Sequence, residues 1–152
     1  ERYGANWAAS RMTRLAGEFA GMVHFDVPRE NADALTNALR SLDSSGLQVV
    51  VAKSDGANLS DSIKSVELEL VGDDRVGIVS NLTKMLAERN ISIENIHTEI
   101  VRSGVSGKQT FKIGAHLLVP GKLSIDELRQ ELGALAHEMT VDIALGEKPA
   151  AA

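Results

Sequence analysis

At 152 residues, 43% hydrophobic but only 3% aromatic, the chain can bury the aliphatic core of one medium domain or two small ones, and it has little from which to build a stacking platform for nucleic-acid bases. Its 16 Lys and Arg against 21 Asp and Glu, a formal net charge of −5, argue against direct binding of nucleic acid, because gripping the phosphate backbone takes clustered cations. The absence of cysteine excludes disulfides, thiolate metal sites and cysteine nucleophiles; no apolar run approaches the ~18 residues of a membrane span and no secretory start is visible, so a soluble cytoplasmic protein without membrane contact is expected.

In chain order, residues 1–52 read as ββαβ: a strand pair up to Pro28, a helix carried by Leu35, Ala38, Leu39 and Leu42, a C-cap at Gly46 and a final strand over 47-LQVVVA-52. The polar, glycine-bearing run 53-KSDGANLSDS-62 is a linker. Beyond it, Val66, Leu68 and Leu70 alternate with Glu67 and Glu69 as a strand with one wet face. Ile78, Val79, Leu82 and Leu86 then fall at helical spacing, and Asn90 ends that helix. Ile91 and Ile93 begin a second strand, whose apolar parity flips at Ile96 and Ile100, predicting a bulge near Asn95. A turn over 103–108 leads to a third strand through Phe111, Ile113, Ala115, Leu117 and Val119, stopped by Pro120-Gly121. Ser124 with Glu127 forms a capping box for a helix carried by Ile125, Leu128, Leu132, Leu135 and Met139, and Val141, Ile143 and Leu145 make a last strand.

Residues 63–146 thus spell βαββαβ, a ferredoxin-like α+β sandwich, with 147–152 as a tail. The first part repeats this pattern without its opening strand and helix. Laying Pro28 on Pro120 places Val27 on Val119, Phe25 on Leu117, His24 on His116 and Phe19 on Phe111, which points to an internal duplication.

The stretch 71-VGDDRVGIVSNL-82 lies where a strand turns into a helix. Asp73 or Asp74 can act there as an N-cap, meeting the positive helix end. Gly77 adds a second reading: a position without a side chain lets a small anion approach the first-turn backbone. Such a place suits an amino acid, with N–H donors for its carboxylate and an Asp or a strand carbonyl for its ammonium. Both acids would repel the carboxylate unless they point at the ammonium, so the carboxylate contact falls to backbone donors.

The run 72-GDDRVGIVSNLTKMLAERNISIENI-96 resembles the ACT domain, a small regulatory module that binds amino acids at the junction of strand one and helix one. Gly77 matches the signature glycine, Arg75 the arginine before it and Asp74 the polar residue that often contacts ligand, while Val76 stands where proline is common and Ser92 where binding members often have asparagine. In the first repeat Asn6 takes the place of Ser92. The resemblance implies a ligand site from Asp73, Asp74, Arg75, Val76, Gly77, Ile78, Ser92 and Asn6. The runs at 4–7, 10–12 and 16–21 are similar to those of tandem ACT proteins of the glycine cleavage system transcriptional repressor type. Full-length members of that type carry a strand and a helix before this point, so their absence here reads as truncation or proteolysis.

That resemblance implies a non-enzymatic, cofactor-free regulator that senses a small amino acid such as glycine, acts through a protein partner such as a transcription regulator, and forms a homo-oligomer. A ligand-free ACT-like interaction module, or a regulatory fragment of an amino-acid or folate enzyme, are the alternatives. Other motifs carry less. The run 104-GVSGKQT-110 has too few residues between its glycines for a phosphate loop and lies between strands. His97 and Glu99 share a strand face, and His24 and His116 are repeat equivalents, but no third metal ligand is in view. Ser10 and Ser80 read as plain strand and helix residues, and Trp7 as a packing residue.

Overall fold

The computed structural model describes residues 2–54, 63–73 and 76–147. The chain divides into two compact units, Glu1–Ala57 and Asn58–Ala152. Most of the expected linker lies outside the described residues.

In the first unit, strands β1 (Asn6–Leu15) and β2 (Glu18–Asp26) form an antiparallel hairpin. The two residues that join them, Ala16 and Gly17, both have positive φ (51° and 85°), the conformation whose twist matches that of the flanking strands. Trp7 lies edge-on to Phe25 at 5.3 Å between ring centroids, yet 58% of it remains exposed. A 3₁₀ turn (Arg29–Asn31) leads into helix α1 (Ala32–Arg40), and a second 3₁₀ turn (Ser41–Ser45) carries Leu42 and ends at Gly46 with φ 85°. Asn31 Nδ2 donates to the Tyr3 carbonyl at 2.9 Å, tying the helix start to the start of the hairpin.

The strand expected over 47–52 does not form. A strand exists only by pairing, and the first unit offers this segment no partner among the described residues. It is held instead by side chains: the Val49 N–H donates to Asp43 Oδ1 at 3.0 Å, and Lys53 pairs with Asp33.

The second unit realises the whole predicted order: β3 (Ile63–Asp73), α2 (Ile78–Glu88), β4 (Ser92–Arg102), β5 (Gln109–Pro120), α3 (Ile125–Met139) and β6 (Val141–Glu147). The four strands make an antiparallel sheet in the order β4-β5-β3-β6. Val66, Leu68 and Leu70 of β3 and Ile113, Ala115, Leu117 and Val119 of β5 share one face, and there they meet Ile78, Leu82 and Leu86 of α2 and Leu128 and Leu132 of α3 in a single aliphatic core. At about 25 cal/mol per Å² of apolar surface, each Val, Leu or Ile among them contributes on the order of 1.5–3 kcal/mol. Ser124 Oγ accepts the Glu127 N–H at 3.5 Å, so the expected cap of α3 forms. After α2, Asn90 (φ 57°) donates its N–H to the Ala87 carbonyl and Ile91 donates to that of Leu86, which closes the helix end where the asparagine predicted it.

The bulge predicted near Asn95 is present: Ile93 pairs with Leu117 and Asn95 with His116, leaving Glu94 as the extra residue. The first unit has the same irregularity, with Trp7 on Phe25, Ala9 on His24 and Ala8 extra. Moving every β1 number up by 86 and every β2 number up by 92 turns the first ladder into the second, rung for rung, from Asn6↔Asp26 onto Ser92↔Leu118 to Leu15↔Glu18 onto Val101↔Thr110. The repeat read in the sequence is therefore also a repeat of strand register. The two ladders differ in their turns: two residues, 16 and 17, join Leu15 to Glu18, whereas eight, 102–109, join Val101 to Thr110. The second turn is longer by six.

Candidate functional site

The junction of β3 and α2 lies at the end of the sheet where Asp73 pairs with Thr110. Gly72 packs there without clearance: a Cβ on it would come within 2.4 Å of Val141 Cγ1 in β6. Asp73 is the last residue of β3 and not a helix cap. Its carboxylate Oδ1 lies 3.0 Å from Lys108 Nζ, a lysine of the long β4–β5 turn. The two acidic and basic candidates that follow, Asp74 and Arg75, lie outside the described residues. Val76 is fully exposed.

Gly77 is the N-cap of α2, with φ 94° and ψ −1°, and no side chain caps it. Its carbonyl accepts the first helical bond, from the Asn81 N–H at 2.9 Å. Two reasons for a glycine meet here. The positive φ penalises any residue with a Cβ, and a Cβ would find only Asn81 Nδ2, at 3.9 Å, so the space beside it is open. The expected N-cap from an aspartate therefore gives way to a glycine start, since the helix begins at Ile78, beyond the acids. Ile78 is 3% exposed and anchors the helix in the core; what it offers a ligand is backbone only. With no capping side chain and no acid in its first turn, α2 presents first-turn N–H groups and the positive end of its dipole.

Ser92 does not join this group. It opens β4 and pairs with Leu118, which pairs in turn with Ser65, so it marks the opposite end of the sheet. Eight residues of β3 at about 3.3 Å each put roughly 27 Å between the two ends. Asn6 begins β1 in the other unit; its pairing with Asp26 makes it the ladder equivalent of Ser92. Of the residues inferred from the sequence, Asp73, Val76, Gly77 and Ile78 thus flank the strand–helix junction, Ser92 lies at the other end of the same sheet, and Asn6 belongs to the other unit.

On the sheet face away from the helices, His116 has only 11% of its side chain exposed. Its Nε2 lies 2.5 Å from Ser65 Oγ and 3.4 Å from Glu94 Oε2, and its Nδ1 lies 3.9 Å from Glu67 Oε1. The repeat-equivalent His24 meets Asp26 at 3.4 Å. Among the described residues no group of three His, Asp or Glu side chains could hold a metal ion, and no helix is long and apolar enough to cross a membrane.

The sequence profile of the ACT domain matches residues 66–145, more than half of the chain. The chain belongs to the ACT domain family. The match spans the described second unit from β3 to β6, including the β3–α2 junction. No curated protein matched the sequence. Among solved structures, an unknown protein from Galdieria sulphuraria is similar over 97% of this chain and 85% of its own, at 28% identity and a TM-score of 0.76. A protein provisionally assigned as a glycine cleavage system transcriptional repressor is similar over 98% of this chain and 84% of its own, at 19% identity and a TM-score of 0.74. Each likeness runs through both units of this ACT protein, so the first unit belongs to the shared fold as much as the second.

In the sequence Lys108 stands out neither in the turn over 103–108 nor in the run 104–110, which is too short between its glycines for a phosphate loop. The length of that turn beside the two residues of the first repeat is the signal that could have found it.

Proposed function

We propose that this ACT protein is a non-enzymatic cytoplasmic regulator that senses a small amino acid at the β3–α2 junction and passes the signal to a protein partner, in the manner of a glycine cleavage system transcriptional repressor. The observation that carries the reading is the start of α2 at Gly77, without a capping side chain and with open space where a Cβ would stand, four residues after Asp73 in a unit that matches the ACT profile. The first-turn N–H groups suit a carboxylate. Gly77 leaves room for it, and the acid at the strand end suits an ammonium.

A ligand as small as glycine can bind no better than low micromolar at about 1.5 kcal/mol per heavy atom, a range that fits the sensing of abundant metabolites. The net charge of −5 leaves direct DNA binding without a footing.

The test is a thermal-shift screen against the twenty amino acids, because a ligand that binds only the native state raises the midpoint. A shift with glycine or serine is expected, and no shift at millimolar concentration with any of them would overturn the sensor reading. Gly77→Asn is the matching variant. Asparagine tolerates positive φ, so it keeps the turn while filling the open space, and it should abolish the shift.

A further inference from the structure

The sequence left a charge problem at the junction: two acids beside a place meant for a carboxylate. Besides Arg75 in the stretch itself, the long β4–β5 turn brings a further cation, Lys108, to the end of β3. We propose that Lys108 recognises the carboxylate of the amino acid, exchanging Asp73 for the ligand while Asp73 turns to the ligand's ammonium. The inference rests on the amino-acid-binding reading above and assigns that site its selectivity for zwitterions.

Three features of the turn place the lysine. Its backbone is fixed on both sides, with its carbonyl accepting from the Ser103 N–H at 2.9 Å and its N–H donating to Ser106 Oγ at 3.3 Å. Gly107, at φ 68°, closes the turn through its own N–H to the Ser103 carbonyl at 2.9 Å. The side chain then crosses to the end of β3, where Nζ meets Asp73 Oδ1 at 3.0 Å. Both partners remain well over half exposed, so the pair contributes little to the fold and a ligand can reach each of them.

The exchange conserves charge. Before binding, one ammonium faces one carboxylate; afterwards the ligand's carboxylate faces Lys108 and its ammonium faces Asp73. A simple amine or a simple acid would leave one of the two unpaired, so the arrangement selects molecules that carry both charges. The first repeat has only Ala16 and Gly17 in its turn, so it lacks this arm.

The experiment is calorimetric titration of the full chain with glycine and with glycinamide, which keeps the amine and lacks the carboxylate; if the screen returns serine, serine and serinamide replace them. Lys108→Gln should weaken the amino acid at least tenfold while the amide, whose amine then meets a freed Asp73, binds no worse, and so bring their affinity ratio close to one. Lys108→Arg should restore the preference, and Asp73→Asn should weaken both ligands alike. An unchanged ratio in Lys108→Gln overturns the role of Lys108 while binding by the wild type still stands for the sensor. No binding of either ligand by the wild type removes both.

Discussion

The two units of this chain share a strand ladder and differ in what lies beside it. In the second, β3 runs between β5 and β6, and with α2 it brings Val66, Leu68, Leu70, Ile78, Leu82 and Leu86 to the core. In the first no equivalent of that strand and helix is described, and Thr36 is the one buried residue among its described ones. Among the described residues the same hairpin is thus a core element in the second unit and an exposed one in the first. A two-stranded hairpin is marginal alone in water. What turns it into a folded domain is the central strand, which supplies hydrogen bonds on two sides and an apolar face at once.

The strongest way to break this comparison is to empty the core of the second unit. Leu117→Ala should cost about 2–5 kcal/mol, whereas the ladder-equivalent Phe25→Ala, half-buried, should cost much less. Trp7 is the only tryptophan and lies in the first unit, so its fluorescence follows that unit while circular dichroism follows both. In urea, Leu117→Ala should move the dichroism transition and leave the fluorescence transition in place; a joint shift would show that the units unfold together.

Glycines sharpen the comparison inside the second unit. Gly72→Ala forces a Cβ to within 2.4 Å of Val141 and should destabilise by about 1–3 kcal/mol. Gly146→Ala, in the same sheet, meets nothing within 4 Å and should change stability by less than about 1 kcal/mol. Equal effects from the two, measured by urea denaturation, would contradict the packing described at the end of β3.

Grafting the turns tests what the extra six residues do. Replacing 102–109 by the Ala-Gly of the first repeat joins Val101 to Thr110 as Leu15 joins Glu18, so the sheet should fold with an unchanged spectrum. Amino-acid binding should fall at least tenfold, as with Lys108→Gln.

The smallest effect concerns the segment 47–54. The Lys53 ammonium, first by its hydrogen bond and then by its charge, holds the Asp33 carboxyl below its ordinary value. A depressed folded-state value means that the tether is present above the ordinary carboxylate range, near pH 4, and is lost as pH falls through the folded value. Nuclear relaxation of 49–53 should therefore show faster motion at pH 2–3 than at pH 6, and Asp33→Asn should show it at both.

Much of this fold was legible because it is written in local signals. The parity flip at Ile96 announced the bulge, Ser124 and Asn90 marked helix ends, and the alternation through Phe111–Val119 gave the core face of β5. The segment 47–52 has the composition of a strand and is none, since pairing is a property of the neighbour and not of the segment. Ser92 was grouped with Gly77 on the strength of a family pattern, and only the sheet topology shows that they lie at opposite ends. Gly77 was singled out for space, and its backbone conformation supplies the second reason. Lys108 was invisible to any reading of single residues because its role depends on where a turn of particular length returns the chain.

The bulge stands at one shared rung of the two ladders. Its extra residue is Ala8 in one copy and Glu94 in the other, so what the copies hold in common there is a kink and not a chemistry. The kink is therefore a property of the ladder that both copies carry whatever residue fills it. The turn beyond it has different lengths in the two, so the charged arm stands where the copies diverge, at the tip of a ladder whose register they share.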